Sequence, residues 1–210
     1  TIIKKEVKKE IKKEILEINN QPKLNMDSCE VFEKNTIHHI FTDGSTFNNN
    51  LHESKRHGGV GVYFEHQDIT PISYTLTNCK ISNNVAELMA IKMGIESIIK
   101  YHGFNHKDII KIYTDSQYSI DCFLKYCKQW ERNGWKKCNK GRGVKEIKNL
   151  ELIKFIWGYY NKYKIQFQHV RSHQLQPNKE SKDYRIWYGN DMADKLAVNA
   201  SKISQLSKYC

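Results

Sequence analysis

The chain lacks any long apolar run. Nothing in its 210 residues approaches the roughly 18 apolar positions of a membrane span, and no signal-peptide pattern opens it. A soluble, intracellular protein without a membrane partner is therefore expected. The first residue is Thr rather than Met, which leaves room for a longer precursor. There is no Cys-x-x-Cys pair either: the six cysteines stand at 29, 79, 122, 127, 138 and 210 without regular spacing. This argues for reduced thiols in the cytoplasm or nucleus, and against a structural zinc even though His169 and His173 could be combined with Cys122 and Cys127. Acidic residues are the scarcer charge, 23 Asp plus Glu against 34 Lys plus Arg, for a net +11. A polyanionic partner such as nucleic acid suits that balance better than an acidic small molecule does.

What is present is organised around Ile109-Ile110-Lys111-Ile112-Tyr113-Thr114-Asp115-Ser116-Gln117-Tyr118. The β-rich run to Thr114 predicts a buried strand of an α/β sheet, with Asp115 where the strand stops. That rim is where open α/β sheets bind ligands. Ile37 to Ser45 repeats the arrangement, with Thr42-Asp43-Gly44 in place of Thr114-Asp115-Ser116. One such Asp is more simply a turn former or a helix cap. Two such endings on apolar strands, with further carboxylates to follow, favour a metal site.

In chain order, residues 1 to 20 carry apolar positions at 3, 7, 11, 15 and 18 among charges, which predicts an amphipathic helix, and a polar linker runs on to residue 36. A domain over 37–204 follows, with a short tail at 205–210. Its expected elements are a strand ending at Asp43, a loop from Thr46 to His57, and strands at Gly58 to Phe64 and at residues 69–77, the three forming an antiparallel meander. A helix then starts at Ser82-Asn83-Asn84, and Glu87 is either the capping-box partner of Asn84 or an acid held toward a cation. After Asp115 come a helix from about Ser116 to Tyr126, a helix over 147–162 and a fifth strand from Ile165 to Val170. A last helix is expected to open at Gly189, capped by Asn190, with Asp191 explained by the favourable field at its N-terminus. Residues 125–149 hold nine Lys or Arg against two Glu, a net +7. Such a run is usually a solvated face. Here Trp130 and Trp135 stand among Lys128, Arg132, Lys136 and Lys137, and indoles stack on bases or sugars while cations meet phosphate.

Taken together, Thr42-Asp43-Gly44-Ser45, Asn83-Asn84-Val85-Ala86-Glu87-Leu88-Met89-Ala90, Tyr113 to Tyr118, Val170-Arg171-Ser172-His173 and Gly189-Asn190-Asp191-Met192-Ala193-Asp194-Lys195-Leu196-Ala197 resemble ribonuclease H of type 1 over about residues 37 to 204. Each stretch is weak alone, and their order and spacing are specific. The resemblance implies a five-stranded mixed sheet of order 3-2-1-4-5 flanked by helices. It implies an endonuclease that cuts the RNA strand of RNA–DNA hybrids and leaves 5′-phosphate and 3′-hydroxyl ends. It also implies two Mg2+ ions, with Mn2+ as a substitute, held by Asp43, Glu87, Asp115 and Asp194, with Asp43 bridging them. The family form of the last motif selects Asp194 over Asp191. By the same matching His173 assists proton transfer or product release, Asn84 and Gln117 read RNA 2′-hydroxyls, and Ser82 and its neighbour Asn83 meet the nucleic acid, Ser82 at a DNA phosphate. A monomer is expected.

The sequence departs from the family in three places, the first a long loop after Ser45. Gln174 to Tyr188 lengthens the connection after His173, as a polar insertion rich in charge, and residues 1 to 36 lack the aromatic and glycine pattern of the family's accessory hybrid-binding domain, which leaves the gripping to the basic stretch. One rival is an inactive nucleic-acid-binding module of the same fold, against which all four carboxylates argue. A DNA nuclease or integrase of the superfamily is the other, and it has no use for Asn84 and Gln117, since the 2′-hydroxyl is what distinguishes RNA from DNA.

Overall fold

The computed structural model describes residues 35–48, 52, 55–77, 80–139 and 143–206. The amphipathic helix and most of the linker expected at the N-terminus lie outside the described residues. Strands β1 (Ile37–Phe47), β2 (His57–Phe64) and β3 (Ile72–Leu76) are followed by helix α1 (Asn83–Lys100) and strand β4 (Ile109–Thr114). Helix α2 (Gln117–Asp121) passes through one π turn (Cys122–Tyr126) into α3 (Cys127–Arg132). Strands β5 (Lys137–Asn139) and β6 (Gly143–Lys145) come next, then α4 (Leu150–Lys162), β7 (Lys164–His169) and α5 (Lys182–Leu206).

The main sheet has the order β3-β2-β1-β4-β7, antiparallel over the first three strands and parallel across β1, β4 and β7. This is the predicted 3-2-1-4-5 topology. The predicted fifth strand is β7, because among the described residues β5 and β6 pair only with each other. Side chains alternate across β1, so successive residues serve opposite faces. Ile40 joins Val62, Leu88, Ile91, Ile95, Ile112 and Ile156 in the larger core, whereas Phe41 packs with Tyr113, Val170 and Ala193 beneath α5.

Several boundaries differ from those the sequence predicts. β1 does not stop at Asp43 but runs to Phe47, since its pairing with β2 continues from Asp43↔Gly61 to Phe47↔His57. The helix after Asp115 continues past Tyr126 to Arg132, its π turn bringing Cys122, Phe123 and Cys127 all into the core. α5 begins seven residues before Gly189, so Asn190 is an interior helical residue and not a cap. The expected polar insertion holds Tyr184, Trp187 and Tyr188, whose rings contact one another and Tyr63, and Arg185 is ion-paired with Glu65 at the end of β2. These contacts support helix where charge alone suggests a loop.

α5 lies almost directly on β2. A methyl added at Gly61 would stand 2.0 Å from the Ala193 carbonyl oxygen, and one at Gly59 would stand 2.3 Å from that of Ala197. Alternate glycines on the strand face a stripe of alanines on the helix. That close approach fixes the register of the residue after Ala193, which is Asp194.

Candidate active site

The site forms where β1 and β4 run side by side. Their parallel register pairs Phe41 with Tyr113, and two residues further along each chain stand Asp43 and Asp115, level with one another. The threonine before each aspartate is fully buried. Thr42 Oγ1 donates to the Tyr113 carbonyl at 3.4 Å, and Thr114 Oγ1 accepts from the Ser116 amide at 3.1 Å, so each Thr side chain secures backbone beside its carboxylate. The Asp115 carbonyl lies 3.2 Å from His169 Nε2.

Glu87 arrives from α1. Ser82 is the N-cap, its hydroxyl accepting from the Val85 amide at 3.3 Å. The capping-box reading of Glu87 with Asn84 is thereby removed, because the residue that meets the cap is Val85. Glu87 instead faces inward, only 9 % exposed. Gly44 lets β1 approach the helix at that point, since a methyl there would sit 2.3 Å from the Glu87 amide nitrogen. One carboxylate oxygen from each of Asp43, Glu87 and Asp115 lies within 4.8 Å of the others. Asp194 shares the adjoining cleft of about 50 Å³ with Asp43, Asp115, His173 and Trp187.

Among the described residues Glu87 Oε2 is buried without a hydrogen-bond partner. A buried, unpartnered carboxylate oxygen beside two further carboxylates is what a hard divalent cation satisfies, so the donor set fits such an ion. Electrostatics agree. Burial pushes Asp43 up to about 7, helped by Asp115 and Asp194 and opposed by the Gly44 amide. Burial also raises Glu87 well above the usual carboxylate range, with Asp43 and Asp115 adding to it. Asp194 is raised chiefly by burial, while His173 beside it pulls the other way.

The shift at Asp43 has a sign. Between the ordinary carboxylate value and about 7 the folded protein keeps a proton that the unfolded chain gives up, so metal-free stability falls as pH rises through that window. Asp43→Asn is expected to stabilise the metal-free protein by about 1–3 kcal/mol at pH 8 and by much less at pH 4. Denaturant unfolding at the two pH values checks this, and an equal effect at both would contradict it.

The whole domain matches the sequence model of the RNase H family over residues 35–202. The chain belongs to the ribonuclease H family. It is 31% identical to the ribonuclease H of Trichodesmium erythraeum over 175 residues, covering 81% of this chain and 92% of that one. It is 33% identical over 145 residues to a protein of Acanthamoeba polyphaga mimivirus named "Probable ribonuclease H", covering 69% of this chain and 58% of that one. The chain thus spans well under two thirds of the mimivirus protein. Among solved structures, the foamy viral protease-reverse transcriptase in complex with an RNA/DNA hybrid superposes with a TM-score of 0.58 at 21% identity, over 78% of this chain and 20% of that one, a likeness of fold. As a member of the ribonuclease H family the protein is an enzyme, a hydrolytic nuclease.

The remaining candidates for this ribonuclease H site are spread around it. Asn83, Asn84 and Gln117 are exposed and Ser82 is half-buried. Thr46 Oγ1 donates to Asn83 Oδ1, and the Gln117 amide donates to Asp121 Oδ1 at 2.7 Å. Lys128, Arg132, Lys136 and Lys137 are exposed, as the basic stretch requires. Trp130 and Trp135 do not stand free among them. Both are half-buried against the core, Trp130 stacked on Tyr126 with ring centroids 5.4 Å apart and Trp135 under Lys154 Nζ at 5.7 Å. Tyr118, Trp130, Lys136, Lys137, Lys145 and Lys148 line a cleft of about 570 Å³ between α3 and the β5–β6 hairpin. Asp191 is not at a helix end, and its carboxylate pairs with Lys195 at 2.6 Å.

Proposed function

We propose that the protein hydrolyses the RNA strand of RNA–DNA hybrids by two-metal-ion catalysis and leaves 5′-phosphate and 3′-hydroxyl ends. The observation that carries this reading is the cluster of Asp43, Glu87 and Asp115, with its unpartnered Glu87 oxygen. These three and Asp194 would hold the ions, Mg2+ or in its place Mn2+. When bound, such a pair activates a water and stabilises the leaving oxygen of an in-line displacement. The protein's own groups do the rest. His173, exposed in the cleft beside Asp194, moves a proton or helps product leave. Asn84 and Gln117 offer exposed amides to the 2′-hydroxyls, the groups by which RNA is told from DNA. Ser82 and Asn83 receive the DNA strand at the start of α1. The basic stretch, with its aromatic-walled cleft, grips the backbone of the DNA strand. The hybrid bound in the foamy viral structure supports the substrate, and the complete carboxylate set supports activity over a binding-only module.

Incubation of a labelled hybrid beside matched duplex DNA and duplex RNA, with and without Mg2+, tests the reading. Metal-dependent cleavage confined to the RNA of the hybrid is expected, and metal-independent or equal cutting of duplex DNA would refute it. The grip is tested separately. Neutralising three of Lys128, Arg132, Lys136 and Lys137 is expected to lower the salt slope of log K by about 2–3, at roughly 0.7–0.9 per phosphate contact. The loss should be alike for hybrids of any sequence, because phosphate contacts carry no sequence information. A solvated basic face predicts an unchanged slope in binding titrations at three salt concentrations.

A further inference from the structure

The loop that carries His173 is tied to the helix that follows it. His173 is a non-glycine residue at φ 52°, in the left-handed region, where a side chain is held only with support from its surroundings. The next residue supplies an attachment: the Gln174 carbonyl accepts a 3.0 Å hydrogen bond from Trp187 Nε1. Trp187 lies in the early turns of α5 and lines the same cleft as Asp43, Asp115, His173 and Asp194.

Those turns are themselves fastened to the sheet. Arg185 makes a two-pronged ion pair with Glu65 just past β2, its Nη2 donating to Oε2 at 2.6 Å. Tyr184 lies 5.7 Å from Trp187 and stacks on Tyr188, which meets Tyr63 of β2 edge-on at 5.7 Å. One residue on, Gly189 sits so close to Phe41 that an added methyl would stand 2.4 Å from the ring. An unbroken run of contacts therefore leads from β1 and β2 through α5 to the residue beside His173. We propose that Trp187 is a positioning residue, whose indole N–H holds the Gln174 carbonyl and so keeps the His173 imidazole at the cleft. Residues 174–188 are then a strut for that side chain. This rests on the functional reading in which His173 takes part in the reaction.

The test is Trp187→Phe, alone and combined with His173→Ala, in steady-state cleavage of a hybrid with Mg2+, beside the thermal midpoint of each variant. Phe keeps an aromatic ring against Tyr184 and removes the donor together with one of the two rings, and the double variant with His173→Ala separates the lost donor from the lost packing. The expected result is a kcat about 5- to 50-fold lower, the scale of one lost hydrogen bond, with KM within about twofold. In the His173→Ala background the same change is expected to cost less than about twofold, because there is no imidazole left to position. An unchanged kcat, a change confined to KM, an equal loss in both backgrounds, or a loss that tracks unfolded protein overturns the proposal. If His173→Ala alone runs at the wild-type rate, the role of His173 fails and the strut with it. If only Trp187→Phe is silent, the strut alone fails.

Discussion

Asp115→Asn is expected to abolish cleavage while hybrid binding survives. The amide keeps the shape of the carboxylate and removes the charge, and on the proposed reading that charge would retain a divalent ion between Asp43, Glu87 and Asp115. The loss should exceed the roughly 10²–10³ of a deleted neutral donor at a reacting oxygen, because on the proposed reading a bound ion would supply both the activation of the nucleophile and the stabilisation of the leaving group. Binding is assigned by the proposed reading to other groups, chiefly the exposed cations Lys128, Arg132, Lys136 and Lys137. Single-turnover cleavage and a separate binding titration measure the two effects, and turnover near wild type would sink the metal-site reading. Asp191→Asn is the internal comparison. It breaks a pair with an exposed Lys195, a contact of about 0–1 kcal/mol, and should leave most activity in place. Should Asp191 prove essential and Asp194 dispensable, the register of the last motif would be wrong.

The sequence shows where these carboxylates come from because each is announced by local chemistry. Thr-Asp at the end of an apolar run marks two strands whose parallel register sets Asp43 and Asp115 level. Glu87 stands out as an acid in an apolar stretch of helix, and its burial follows from that isolation. The antiparallel meander is legible from three consecutive strands, whereas the full order of the sheet comes from the resemblance to ribonuclease H. Pairing partners and close approaches are less visible. β1 runs past Asp43 because β2 lies beside it, a long-range fact that a polar stretch of chain does not express. Gly59 and Gly61 read in sequence only as part of a strand, but their role is to admit the backbone of α5.

Charge misleads where packing decides. Residues 174–188 read as a polar insertion because Lys, Glu and Asp dominate the eye, yet Tyr184, Trp187 and Tyr188 build the early turns of α5. Tyrosine and tryptophan spaced at three and four residues are the available signal. The tryptophans of the basic stretch carry the opposite lesson. Their cationic neighbours suggest that Trp130 and Trp135 are exposed platforms, whereas both rest against the core, and Trp130 forms part of the wall of a cleft.

His173→Ala carries the other large expected effect, a fall in rate of about 10²–10⁴, the usual range for loss of a group that donates or accepts a proton in the reaction. The residue is exposed, lies in the cleft with Asp43, Asp115 and Asp194, and acts electrostatically on Asp194. Removing it leaves the carboxylate cluster intact, so cleavage should slow without vanishing and metal dependence should persist. This separates it from Asp115→Asn, which on the proposed reading would remove the ion itself. The pH–rate profile should change shape as well, since a proton carrier is gone, whereas a merely structural loss would lower the rate evenly at every pH. Because Asp194 loses a neighbour that draws its pKa down, its proton should be held to higher pH. An unaltered rate in a folded His173→Ala variant would mean that residues 174–188 keep the imidazole away from the chemistry, and that the carboxylates act without it.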